Sequence, residues 1–356
     1  MSLPATTASS RWPHRWAVLL ACATFPLLWW GGLVTATGSG MAFSDWLTSD
    51  GVFMPLYPWL SSTGEKFIEH GHRLLGMLAG LLTIALVIST FMSEPRRWVR
   101  WLSVVLLVGV VLQGVLGGLR VKVDAAAPEA ARIIALIHGC TGPLFFAMCA
   151  AMAAVTSRRW IEHSPAILAG SRIESGTSVD DANGRRARMA RLYRLSILTA
   201  ILAYLQLVVG AIVRHSPLML ADGAAAVFQT AVYFHVLLAL AVTFHVLLLA
   251  HKCFWGRVCR GPAVGLALLI GIQLLLGVST WMVKYGLPAW ATNIIGETGH
   301  FNRASDFVSS AIITAHGAVG SLIVAFAVVI ALRIGRHIGF RSLSLPAAAP
   351  VAGVVA

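Results

Sequence analysis

Eight runs of about twenty apolar residues recur along the chain, near 16–38, 71–92, 101–119, 132–155, 195–214, 228–250, 261–283 and 309–333. A helix rises about 1.5 Å per residue, so each run is long enough to cross a hydrocarbon layer of about 30 Å. Only 12% of the residues are charged, about half the share usual in a soluble domain. The chain therefore reads as an all-α polytopic membrane protein with eight transmembrane helices, the one form in which runs of this length satisfy their backbone polar groups in lipid. The first run begins too late and is too long for the apolar core of a cleaved leader, and no small-residue cleavage site ends it. It is expected to be a retained helix, with the mature protein starting near Met1.

A formal net charge of +13 raises the question of nucleic acid, and the placement of the basic residues argues against it. Lysine and arginine gather in cytoplasmic loops of membrane proteins. With the N-terminus inside, the inner segments hold 19 of the 27 basic residues, among them Arg11, Arg15, Arg96, Arg97, Arg100, Arg158, Arg159, the run from Arg185 to Arg194, Lys252, Arg257, Arg260 and Arg333. Both termini are expected to be cytoplasmic, in a bacterial plasma membrane, with the bilayer and its anionic lipid as the partner of the arginine-rich segments. A homo-oligomer is open and no nucleic acid is expected. Of the five cysteines, Cys22, Cys140 and Cys149 fall in helices and Cys253 and Cys259 in an inner loop, so no disulfide is expected on the outer face.

Internal similarity divides the chain. The fourth run opens with His138-Gly139-Cys140-Thr141-Gly142 and the eighth with His316-Gly317-Ala318-Val319-Gly320, both His-Gly-x-x-Gly. HRLLGMLAG from His72 aligns with HVLLALAVT from His235, and Gln113 to Gly117, Gln206 to Gly210 and Gln273 to Gly277 share a Gln-x-x-x-Gly spacing in the odd helices, where small residues allow close approach. The expected architecture is two pseudo-symmetric four-helix bundles, residues 1–155 and 195–334, joined by a basic cytoplasmic linker at 156–194 and followed by a tail at 335–356. Halves with an even number of helices form a parallel repeat about an axis along the membrane normal.

The repeat puts His72, His138, His235 and His316 in the first turns of the even helices, at one depth in the outer half of the membrane. Ionisable residues at such positions are costly unless paired or functional. Paired imidazoles from facing helices of a bundle ligate haem iron from both sides, so two pairs predict two sites. His245 and His251 have no counterpart in helix two and read as non-ligands. Glu69 lies three residues before His72, on the same helix face, whereas the position matching it before His235 is Val232. A carboxylate beside a metal-bound group can take up protons or orient a reacting group, which places chemistry in the first half and an electron-carrying haem in the second. Arg73 has three candidate partners: a haem propionate, Glu69, or the outer headgroups.

These residues resemble the haem A synthase family, membrane enzymes that convert haem O to haem A for terminal oxidases. The resemblance rests on GGLVTATGSGMAFSDW after helix one, on Glu69-x-x-His72-Arg73, and on the single histidines that open helices four, six and eight. It implies a haem O substrate site, yielding haem A, between His72 and His138, with Glu69 as catalytic carboxylate, and a resident haem b held by His235 and His316. It also implies oxidation of a ring methyl group to a formyl group through hydroxylated intermediates, with a haem O synthase and terminal-oxidase assembly factors as partners. Related sequences often read Val-Pro-Asp-Trp-Pro where this chain has Phe43-Ser44-Asp45-Trp46-Leu47, and some carry an outer cysteine pair that is missing here, so a rearranged outer loop is expected. In that loop Trp46, Phe53, Tyr57, Trp59 and Phe67 would either cover an apolar ring and tail or form an interfacial aromatic belt. Two other classes share some of these features: a di-haem b cytochrome passing electrons from quinol, which leaves Glu69 unexplained, and a parallel-repeat transporter with histidine proton relays, which predicts no haem spectrum.

Overall fold

A computed structural model describes residues 10–162, 179–215, 224–286 and 307–338. Parts of the expected linker and tail, together with Arg172, Asp222, Glu297, Arg303, Asp306 and Arg341, lie outside the described residues. The eight expected spans are present as α1 (Trp12–Ala36), α2 (Gly64–Ser93), α3 (Arg97–Asp124), α4 (Pro128–Thr156), α5 (Val179–His215), α6 (Ala224–Trp255), α7 (Arg260–Tyr285) and α8 (Phe307–Ile338), each long and apolar enough to cross a membrane. They extend beyond the apolar runs because polar first and last turns continue the helical backbone. The largest difference is at α5. The arginine-rich stretch expected in the linker is helical from Val179, built of good helix formers, and Met189, Leu192, Tyr193 and Ser196 form a stripe that faces the core. Cys253, expected in a loop, is buried within α6, and all five cysteines are free.

Within each half, consecutive helices pack side by side and the ring closes, α4 on α1 and α8 on α5. The halves meet through α4 on α8, with α1 against α8 and α5 against α4. Exchange of the halves carries the α1–α8 contact onto the α4–α5 contact and α4–α8 onto itself, as a pseudo-twofold axis requires. Half of the apolar window of α8 is buried, against 17% for α3, α5, α6 and α7, so α8 forms the seam while those helices turn most of their surface outward. Leu81, Leu237, Leu268 and Leu275 are among the outward apolar residues, as expected of faces solvated by lipid. Hydroxyl groups inside the bundle bond back to their own helix, Thr24 to the Leu20 carbonyl and Thr83 to that of Ala79, both at 2.7 Å, which satisfies these donors without a partner on a neighbouring helix.

The even helices all begin at one end of the bundle, the site end. At the other end the turn between α2 and α3 is fixed by Glu94, which accepts two hydrogen bonds from Arg96 at 2.7 Å, while Arg96 also donates to the Val155 carbonyl at the end of α4. Burial would raise the Glu94 carboxyl, but the hydrogen bonds and charge of Arg96 outweigh it and hold the group below its ordinary 4.5.

Candidate functional site

Four histidines sit one turn or more inside the even helices, and the structure brings them together in two pairs. The ring centroids of His72 and His138 are 6.4 Å apart and those of His235 and His316 6.3 Å apart, with planes at 83° and 72°. Two imidazoles that ligate one metal from opposite sides each place a nitrogen about 2 Å from it, which sets the centroids roughly 6 Å apart. Among the described residues no three His, Cys, Asp or Glu side chains converge. A pair alone suits a metal that brings its remaining ligands with it, as a porphyrin does. All four histidines are half-buried residues, whereas neighbouring Glu69 and His70 are 4% and 0% exposed.

Each imidazole rests on a glycine of the preceding helix. A Cβ at Gly31 would come within 2.7 Å of the His72 ring, one at Gly210 within 2.9 Å of His235, and one at Gly277 within 3.2 Å of His316; at Gly117 the distance to His138 is an ordinary 3.7 Å. Four residues before each glycine, the carbonyls of Leu27, Gln113, Gln206 and Gln273 face the same four rings. The repeating unit is thus a helical hairpin used four times, a finer period than the two halves read from the sequence. Metal-bound histidines turn their second nitrogen to such a carbonyl. The second glycine of His-Gly-x-x-Gly has a packing role as well: Gly142 lies under Leu28 and near the Gln113 amide, and Gly320 under the Gln273 amide.

Gln206 sets the second pair apart. Its amide nitrogen lies 3.1 Å from Nδ1 of His235 and donates to the His235 carbonyl at 3.0 Å. Gln113 donates instead to Thr141 at 2.6 Å. The α1 hairpin has Leu27 at this position and no amide at all.

The first pair has its own equipment, the loop between α1 and α2. Glu69 Oε2 accepts from the amides of Ala42 and Phe43 at 2.7 and 3.2 Å, while Oε1 accepts from Nη2 and Nε of Arg73 at 2.6 and 3.2 Å. Arg73 spends its remaining nitrogen on the carbonyls of Thr48 and Trp46, at 2.9 and 3.3 Å. Of the three partners open to Arg73, the structure gives it Glu69, together with the loop. Glu69 is likewise no solvated helix-start acid but a buried clamp with both oxygens in use. Breaking such a pair from one side typically costs about 3–5 kcal/mol.

His70, the residue after Glu69, completes the clamp. It is fully buried, with Nδ1 2.9 Å from Ser49 Oγ and its ring against Tyr57 and Phe43. Asp45 caps a short hairpin (Thr48–Ser49 against Val52–Phe53), accepting from the Thr48 hydroxyl and the Gly51 and Asp50 amides. The turn takes positive φ at Asp50 and Gly51, 53° and 76°, as hairpins of this length prefer. Burial would raise the Asp45 carboxyl, but these hydrogen bonds together keep it below its ordinary 3.8.

The loop aromatics divide between two roles. Trp59 and Phe67 stack on each other and meet Trp30 of α1 edge-on and tilted, and Trp30 Nε1 donates to the Ile68 carbonyl at 2.7 Å. Trp46 reaches over Gly118 of α3, where any Cβ would run into the indole. These pin the loop across three helices beside the first pair. Phe53, Leu56 and Leu60 instead face outward, 62%, 75% and 85% exposed, as in an interfacial belt. His245 bonds its own helix at the Ala241 carbonyl and His251 packs on Trp255, neither near a pair.

The sequence model of a family described as cytochrome oxidase assembly protein, COX15-CtaA, matches residues 14–294. That stretch takes in the loop, the Glu69 clamp, the first histidine pair and His235. No curated protein matches the chain.

Proposed function

Because this chain belongs to the COX15-CtaA family of cytochrome oxidase assembly proteins, the haem A synthase family, we propose that it oxidises a ring methyl group of haem O to the formyl group of haem A through hydroxylated intermediates. The observation that carries this reading is the unequal equipment of two otherwise matched histidine pairs. His72 and His138 would hold the substrate haem under the loop of residues 37–63. His316 and His235, the latter braced by Gln206, would hold a resident b-type haem, which supplies one-electron redox chemistry beside the substrate site.

The residues around the first pair act by holding and excluding. Glu69 keeps the Ala42 and Phe43 amides in place, Arg73 keeps Trp46 and Thr48, and the loop so fixed shuts water from the imidazoles and keeps a substrate ring in one orientation. Glu69 is also the buried carboxylate nearest in sequence to a ligand of this pair, and we place its acid–base role at Oε2, the oxygen that holds the two loop amides. Its candidate role in catalysis and its role as a clamp therefore share the same oxygen. The bilayer supplies haem O from a haem O synthase and passes haem A to terminal-oxidase assembly factors. On the arginine asymmetry we read both termini as cytoplasmic and the site end as outward, in a bacterial plasma membrane.

The test is expression with a haem O source, followed by extraction and separation of the haems. Haem A should accumulate with the intact protein and be lost with His72→Ala. Haem B alone in both sites would point to a di-haem electron-transfer cytochrome and end the synthase reading.

A further inference from the structure

With Arg73 committed to Glu69, the carboxylate arms of any tetrapyrrole at the histidine pairs need other cations. We propose that Arg120 and Arg214 bind those carboxylates, Arg120 at the first pair and Arg214 at the seam between the two, a proposal that rests on the haem reading above. Arg120 lies three residues past Gly117 and Arg214 four past Gly210. Each guanidinium therefore starts about one helical turn nearer the site end than the glycine on which an imidazole rests. The arms of a ring ligated at the level of the imidazoles leave from one edge, and the polar end of the bundle is the side on which an edge of that kind is least costly to place.

The surroundings of the two arginines are built for an anion. Arg214 crosses from the second half to the first and donates one N–H to the Gly32 carbonyl at 2.7 Å, leaving other donors of its five. Gly32 follows Gly31, the seat of His72, and is itself covered by Thr314, two residues before His316. The guanidinium of Arg120 fits against Gly40 of the loop, where a Cβ would come within 2.8 Å of it. His215, which follows Arg214 in the chain, is 9% exposed, so a buried imidazole sits beside this guanidinium at the end of α5.

Among the described residues the ion pairs are Lys66–Asp50, Arg73–Glu69, Arg96–Glu94 and Arg132–Glu129, and none of them involves Arg120 or Arg214. Cations gathered inside a membrane bundle are costly until an anion joins them. A haem brings two carboxylates to each pair.

The test compares haem B with its dimethyl ester, which keeps the iron and ring but removes both charges. The full-length protein is purified from haem-deficient cells and titrated with each by its visible absorbance. The wild type should bind the free acid at least about ten-fold more tightly than the ester, as a charge-assisted hydrogen bond implies. Arg120→Gln and Arg214→Gln should each move that ratio toward one while ester affinity stays unchanged, the ester reporting that fold and histidines are intact, and Arg214→Lys should restore part of the preference. Equal binding of acid and ester by the wild type, or full preference in both glutamine variants, overturns the proposal and leaves the haem reading standing. Loss of ester and acid binding together in the glutamine and lysine variants also overturns it, making the arginines structural. Binding of neither compound by the wild type would remove the haem reading itself.

Discussion

The two histidine pairs are close copies in backbone and differ in what surrounds them. At the second pair, His235 is held by its glycine seat and by the Gln206 amide, whereas Nδ1 of His72, His138 and His316 has no hydrogen-bond partner of good geometry. At the first pair, Leu27 replaces the glutamine of the other three hairpins, and α2 invests Glu69, His70 and Arg73 in a loop instead. Among the described residues, Gln206 braces His235 of one pair, and the other pair is covered by a separate, clamped element. A brace suits a group that stays; a clamped cover suits one that comes and goes. The pseudo-symmetry thus preserves the paired-imidazole geometry, and we read the division of labour from the departures from it.

The comparison breaks most visibly at the ligands. His235→Ala or His316→Ala should abolish the b-type haem spectrum of the purified protein, and His72→Ala should leave it in place. Survival of that spectrum in both second-pair variants would remove the assignment. Next in size is the clamp: Glu69→Ala leaves a buried guanidinium and two loop amides without partners, and should weaken the loop by about 3–5 kcal/mol. Hydrogen exchange at the Ala42 and Phe43 amides reads this directly, and unchanged protection there would mean the loop is held by something else.

The glycine seats come third. Gly31→Ala and Gly210→Ala force the imidazole away, at a typical overpacking cost of about 1–3 kcal/mol, and should loosen haem at their own pair roughly ten-fold or more, whereas Gly117→Ala, with its Cβ at 3.7 Å, should behave as wild type. Equal effects at Gly117 and Gly210, followed as haem release, would count against the hairpin unit. The smallest effect is at Asp45. Its carboxyl is held below 3.8 in the folded loop, so its contribution is complete above that value and is lost as the pH falls through the lower folded value. Protection of the Gly51 amide, taken relative to its intrinsic exchange rate, should fall over that acid range, and Asp45→Asn should remove the pH dependence of that protection.

The eight spans, the all-α class and the four repeat-matched histidines were legible in the sequence because apolar run length and internal repetition are local signals. The hairpin unit was half visible: Gln-x-x-x-Gly stands out in three odd helices, but Leu27-x-x-x-Gly31 does not announce itself as the fourth until the ring of His72 is seen resting on Gly31. Glu69 was read for its spacing from His72, and the backbone amides that occupy it come from residues 26 and 27 positions away, which no periodicity encodes. Trp46 over Gly118 and Arg214 on Gly32 are contacts of the same long-range kind. The helical start of α5 was missed because a dense arginine run looks like a solvated linker until Met189, Leu192 and Tyr193 are placed on one face.

The central claim is that the first pair exchanges its haem and the second keeps it. Purified protein carrying haem B should be incubated with excess isotopically labelled haem O, and the haem at each site followed using His72→Ala and His235→Ala to tell the sites apart. Labelled haem should enter only the site that needs His72, while the haem that depends on His235 stays unlabelled. Equal exchange at both sites, or none at either, would contradict the account.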